Sequence, residues 1–345
     1  MRCFVLLIVA TFLPAEDPTF QTQSRLVIVP TVVTDEKGRS INELDSASFI
    51  VFDNGRPRRI AVDTLATGVA SIALVIAVQS SGISGAALEK VQRIGSMIQP
   101  LVTGERGCAG LLSFDEAVHW LQECTKDADL LVRAFSQLRT GESKTGRMLD
   151  AVDAAVDHLR HLPNLRRVLL LISESRDRGS ESELENILLD AQAAGVTVYA
   201  ITYSSFKTGF TSKTAPPPDP PREDPRRPQS TRTEPLTAQG RAPIPPAASR
   251  VDVLGGIGEL ARMGKEKTTE VLSRGTGGTT FSFVRQTGLE SAIEKLGAEL
   301  HSQYLLSFMP PHDEPGYHLL EVRIPARPKL RIRARPGYWK AEKTQ

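Results

Sequence analysis

Residues 72–78, IALVIAV, form an unbroken apolar run that stops abruptly at Gln79, Ser80, Ser81 and Gly82. A run without polar alternation predicts a strand covered on both faces, as in a parallel sheet packed between helices. The polar turn after it falls where such a sheet holds its binding residues, outside the carboxyl end of a strand. Two further runs share this character, 167–172 ending in Ser173-Glu174-Ser175-Arg176-Asp177, and 196–202. Apolar residues recur at helical spacing over 86–99 (Leu88, Val91, Ile94, Ile98), near 129–138, over 148–162 as far as Pro163, and over 183–194 before Gly195. Strands alternating with helices predict a doubly wound, mostly parallel α/β domain.

The flanks read differently. Residues 25–66 hold short strands and turns, with no stretch of helical length beyond a single turn at 44–47. The sharpest signal there is Asp53-Asn54-Gly55 between apolar runs, which predicts a hairpin. These strands are too few to make a sandwich alone. Partners come from the other end, where 303–308, 318–324 and 330–334 read as strands. The expectation is therefore a small β-sandwich built from 25–66 and 302–340, with the α/β domain (70–206 and 251–301) inserted between its halves. Within the second part of that domain, helices are expected over 253–263 and through Val271, a strand over 276–283 and a last helix over 288–301. Eleven of the 23 prolines lie between Pro216 and Pro246. That composition predicts a disordered loop over 207–250.

Charge and cysteines narrow the function. With 42 basic and 40 acidic residues the net charge is +2, which argues against a nucleic-acid surface. Arg2 followed by the apolar segment 3–13 and Leu13-Pro14-Ala15 predicts an export signal over 1–15, too short to span a bilayer. No later stretch reaches spanning length, so the mature chain is expected to be secreted or periplasmic with no transmembrane segment. Cys3 leaves with the signal. Cys108 and Cys124 bracket a hairpin centred on residue 116, and directly paired strand residues are close enough to bridge. Two free buried thiols are the other reading, and both stay open.

The order of these elements resembles a von Willebrand factor type A domain: the Ser-rich turn after the first strand, GLLSFDEAVHWLQECT, RVLLLISESRD and VTVYAITY. The flanks VTDEKGRSINELDSASFIVFDNGRPRRI and SQYLLSFMP, GYHLLEVRIP, IRARPGYW are similar to the ends of bacterial, acidobacterial-type proteins related to that domain. The resemblance implies a type A, Rossmann-like sheet and a metal-ion-dependent adhesion site. That site takes D-x-S-x-S, a Thr from a second loop and an Asp after a later strand. One alignment puts Ala77 at the Asp, Gln79 at the first Ser and Ser81 at the second. Sliding by two puts Gln79 at the Asp, Ser81 at the first Ser and Ile83 at the second. The Thr position falls on Gly146 beside Thr145, and the second Asp on Ser173 beside Glu174.

Mg²⁺ wants octahedral oxygens including one or two carboxylates. Hydroxyls and a carboxamide leave its charge uncompensated, so the site is expected to be degenerate, with no metal or cofactor, or at most a weak divalent cation. The crevice is then expected to be a polar surface made by Gln79, Ser80, Ser81, Thr145, Ser173 and Glu174. No G-x-S-x-G elbow, P-loop lysine or zinc spacing is present. His158 and His161 read as solvated or packing side chains, Asp150, Asp153 and Asp157 as the wet face of a helix, and Tyr338 and Trp339 as a final staple of the sandwich. The leading expectation is an exported, non-catalytic module that binds a protein or cell-surface partner. The alternative is a structural component of an envelope assembly with a vestigial crevice. A hydrolase is the remote third.

Overall fold

The structure, a computed structural model, describes residues 26–64, 71–162, 166–204, 267–311 and 314–340. The expected export segment, the Pro-rich loop and the helix over 253–263 lie outside the described residues.

Strands β1 (Val27–Thr34), β2 (Ile50–Asp53), β3 (Arg56–Arg58) and β4 (Ala61–Thr64) precede the α/β domain. The domain's sheet is β5 (Ile72–Gln79), β6 (Cys108–Phe114), β7 (Val118–Thr125), β8 (Arg166–Ser173), β9 (Thr197–Tyr203) and β10 (Thr280–Phe283), in the order β10-β9-β8-β5-β6-β7. All pairings are parallel except that of β7, an antiparallel edge. β5 is central and every residue in it is buried, which explains its unbroken apolar sequence.

Helices cover both faces. A helical run from Gly85 to Thr103 comprises α1 (Gly85–Val91), a 3₁₀ turn, α2 (Gly95–Ile98) and the π-helical Gln99–Thr103. The single helix expected over 86–99 is thus longer and irregular. Pro100 lies inside the π segment, and its missing N–H and ring bulk are accommodated by the wider turn. α3 (Ala128–Gln137), capped by Asp127, and the long α7 (Gln286–Ser302) pack on the same face. α4 (Met148–Arg160), α5 (Leu184–Ala193) and α6 (residues 267–276) cover the other. α6 runs further than expected and ends at Gly277, whose φ of 88° suits a helix terminus. The following strand consequently begins at Thr280, four residues later than the sequence predicts.

After α7 come β11 (Tyr304–Phe308), β12 (Gly316–Arg323), β13 (Arg331–Ala334) and β14 (Gly337–Lys340). They join the first four strands in two antiparallel sheets, β13-β1-β11-β4 and β14-β12-β2-β3, so the sandwich is built from both ends of the chain. Asn54 (φ 48°) and Gly55 (φ 76°) make the β2–β3 turn, both left-handed as a two-residue hairpin requires. The sandwich core contains an ionic cluster. Asp53, fully buried, accepts from His318 Nδ1 (2.7 Å), Arg58 Nε (3.1 Å) and Tyr338 OH (3.3 Å), tying β2 to β3, β12 and β14. Tyr338 is a core residue as expected, whereas Trp339 is 44% exposed because the β pleat turns it to the opposite face.

Cys108 and Cys124 form a disulfide with Cα atoms 5.4 Å apart. Their ladder positions are not directly opposed, since two register shifts in β7 pair Ala109 with Thr125. Among the described residues, no helix is long and apolar enough to cross a membrane.

Candidate functional site at the strand ends

Counted from β5, the strand order reads 3-2-1-4-5-6, so the chain changes direction across the sheet between β5 and β8. An open α/β sheet leaves its crevice over that point. Gln79, the last residue of β5, spans it. Its Oε1 accepts the Glu174 N–H at 2.9 Å and its Nε2 donates to Ser81 Oγ at 2.9 Å. Ser81 Oγ lies 3.1 Å from Ser84 Oγ, and Tyr203 OH, from the end of β9, donates to Ser84 at 2.8 Å. Ser173 turns its hydroxyl back onto the Glu174 carbonyl at 2.8 Å. Burial pushes the Tyr203 phenol well above its ordinary pKa, so it stays a neutral donor.

Two loops close over this relay. Gly82 N–H donates to Ser143 O and Gly141 N–H to Ser80 O, each at 2.7 Å. An added Cβ on Gly82 would lie 3.0 Å from the Glu142 carbonyl, so the approach depends on glycine. Gly146 and Arg178 exchange reciprocal backbone hydrogen bonds of 3.0 and 3.1 Å, which clasp the loop before α4 to the loop after β8. At Gly146 an added Cβ would lie 2.7 Å from Gln79 Nε2. The long carboxamide therefore occupies the space left by a residue without a side chain.

The predicted site residues separate into four groups. Gln79, Ser80, Ser81 and Ser173 are brought together with Gly146 but are buried, and the Gln79 amide and the Ser81 hydroxyl are bonded to each other. They line a sealed interior, not the polar surface expected of them. Ala77 is a core residue, paired with Leu112 and Leu171 two positions inside the strand, so only the alignment with Gln79 at the strand end fits the geometry. Thr145 is exposed and bonds to Ser143 within its own loop at 2.6 Å, away from Gln79. Glu174 reaches the mouth, where its Oε2 lies 3.2 Å from Arg178 NH2.

The nearby carboxylates are similarly engaged. Asp177 accepts from Leu149 N–H (3.1 Å) and the Ser180 hydroxyl (2.6 Å), capping α4 from outside the helix. Asp150, expected on the wet face, instead accepts the N–H groups of Glu181 and Ser182. His158 packs on Trp120 with centroids 4.7 Å apart. Gln79, Ser81, Gly146 and Ser173, the positions compared above with an ion's ligands, hold no carboxylate; Gln79 bonds to Ser81, and Ser173 to the Glu174 carbonyl. This donor set does not fit Mg²⁺, which is usually held through one or two carboxylates with waters completing the octahedron.

Sequence reasoning passed over Ser84, Tyr203 and Arg178. Only the first carried a signal, its place in the Ser-rich turn. The other two meet the site by tertiary contact from separate strands and loops.

No family model matches this chain, and no curated protein matches it. Among solved structures it is similar to the conserved hypothetical protein BatB from Bacteroides thetaiotaomicron and to an aerotolerance-related membrane protein from Bacteroides fragilis. Each is 15% identical, with a TM-score of 0.40, covering 66% of this chain and 98% of that one. It is also similar to the VWA domain of SpRpn10, at 16% identity and a TM-score of 0.30, covering 40% and 79%. These are likenesses of fold.

Proposed function

We propose that this chain is an exported, non-catalytic protein-recognition module that works without a divalent ion. The observation that carries this reading is the Gln79 carboxamide. It supplies an acceptor to Glu174 and a donor to Ser81, and with the Gly146–Arg178 clasp it joins the three loops that an ion would otherwise join. A partner then meets the loops above the sealed strand ends, through Lys144, Thr145, Arg176 and Arg178. Buried Gln79 and Ser81 act only by holding those loops in place.

Affinity capture from envelope extract, with and without chelator, tests this. Capture that survives EDTA and is lost in Lys144→Glu/Arg178→Glu supports it. Chelator-sensitive capture, or tight stoichiometric Mg²⁺ or Mn²⁺ binding by calorimetry, refutes the metal-free reading. The second reading, a structural component held by the sandwich, is favoured by how much of the chain goes into that sandwich. It predicts that the rim variant captures the same partners as the parent chain.

A further inference from the structure

β10 is the outer strand of the six-stranded sheet, and among the described residues it pairs only with β9. Ala200 N–H donates to Thr279 O, and the Thr202 hydroxyl donates to Phe281 O. Backbone groups alternate sides along a strand, so residues 279 and 281 face β9. The N–H and C=O groups of Thr280 and Ser282 therefore point to the free edge. Edges of this kind are commonly blunted by Lys, Pro or a bulge. β10, TFSF, carries neither Lys nor Pro, and its pairing with β9 runs without a register shift.

Beside this edge runs a groove of about 290 Å³ between β10 and α6, lined by Thr202, Glu270, Arg274 and residues 279–282. The hydroxyls of Thr202, Thr280 and Ser282 make its floor polar where the strands further into the sheet are apolar. Its helical wall carries Arg274 beside Glu270, and Lys267, outside the lining of the groove, adds a second cation to the same helix. Arg274 and Lys267 both approach the Glu270 carboxylate, at 2.7 and 3.4 Å, and are 68% and 63% exposed in their side chains.

We propose that the β10 edge is a docking site for an extended, carboxylate-bearing peptide from a partner protein, added as a seventh strand with its acidic side chains toward Arg274 and Lys267. Main-chain hydrogen bonds to Thr280 and Ser282 supply affinity, and the excess of positive charge on α6 selects the sign of the side chains. This site lies on the outer edge of the sheet and does not depend on the metal-free reading of the strand ends.

The test uses the full chain and two heptapeptides, one alternating Val with Glu and one alternating Val with Lys. Hydrogen exchange followed by NMR reads the Thr280 and Ser282 amides directly. Both amides should exchange rapidly in the free chain and become protected on adding the Glu peptide. The Glu peptide should bind about fivefold tighter than the Lys peptide, the equivalent of one exposed ion pair. Arg274→Ala should narrow that preference while leaving protection in place. Ser282→Pro, which removes an outward N–H, should weaken both peptides, with its circular dichroism confirming the fold. Amides already protected in the free chain, or no protection on titration, would overturn the proposal. So would equal binding of the two peptides.

Discussion

Gly146→Ala is the sharpest test of the sealed strand ends. The new methyl would arrive 2.7 Å from Gln79 Nε2 and 3.2 Å from its Cδ. A free glutamine would swing aside at little cost. This one is 2% exposed and held by bonds of 2.9 Å to Ser81 and from Glu174. Moving it takes the carboxamide acceptor from the Glu174 N–H and one of two hydrogen-bond partners from the Ser81 hydroxyl, about 1–3 kcal/mol, while keeping it in place overpacks the site by a similar amount. A loss of about 2 kcal/mol is expected. Gln79→Ala alone also destabilises, because Glu174 N–H loses its acceptor. In the Gln79→Ala background, however, the alanine at 146 meets no carboxamide, and its added cost should fall near zero. The double-mutant cycle should thus show a coupling of about 2 kcal/mol. The assay is urea unfolding followed by tryptophan fluorescence in a Trp339→Phe background, so that Trp120 reports the α/β domain alone. Midpoints should shift at constant slope. Costs that add to within about 0.5 kcal/mol would refute the contact between the two residues.

Three more outcomes follow from other parts of the molecule. Cys124→Ser, or reduction, should cost the α/β domain about 3 kcal/mol from freeing the loop between the cysteines, read as a lower urea midpoint by Trp120; an unchanged midpoint would count against a stabilising bond. Asp53→Ala should cost the sandwich about 3–5 kcal/mol, because His318, Arg58 and Tyr338 lose their shared acceptor, and Trp339 fluorescence should register it before Trp120 does. Arg335 lies 5% exposed at the junction of the two domains, and burial lowers its guanidinium to about 10. Because its folded pKa lies below the unfolded one, its charge opposes folding at neutral pH, and that penalty fades as pH rises above about 10. Arg335→Met should therefore match or exceed the parent's midpoint at pH 7, with any advantage shrinking above pH 10; a large loss at pH 7 would refute this.

Much of the architecture was legible in local pattern. The unbroken apolar run of β5, the alternation of strands with helices and the Asn54-Gly55 turn each carry a short-range physical signature. So does the presence of Gln, Ser and Ser, not carboxylates, at positions 79, 81 and 173, which is a matter of composition. Helix interiors were read well, and their ends less so. A π-turn around Pro100 and the glycine after α6 depend on packing that no window of sequence contains.

The strand-end site divides along the same line. That Gln79 closes β5 and that Ser81 follows in the polar turn can be read from the order of residues. That they bond to each other is a tertiary fact. It needs Gly146 to leave room, Glu174 to bring an N–H from another strand and Tyr203 to close the relay from a third. Burial was likewise invisible beforehand, because the covering loop is held by backbone atoms of Gly82, Gly141 and Ser143, and backbone hydrogen bonds leave little trace in residue identity. The chain's sequence determined which chemical groups reach the end of the sheet. Only the folded structure decided whether those groups face solvent or one another, since that depends on distances between segments far apart along the chain.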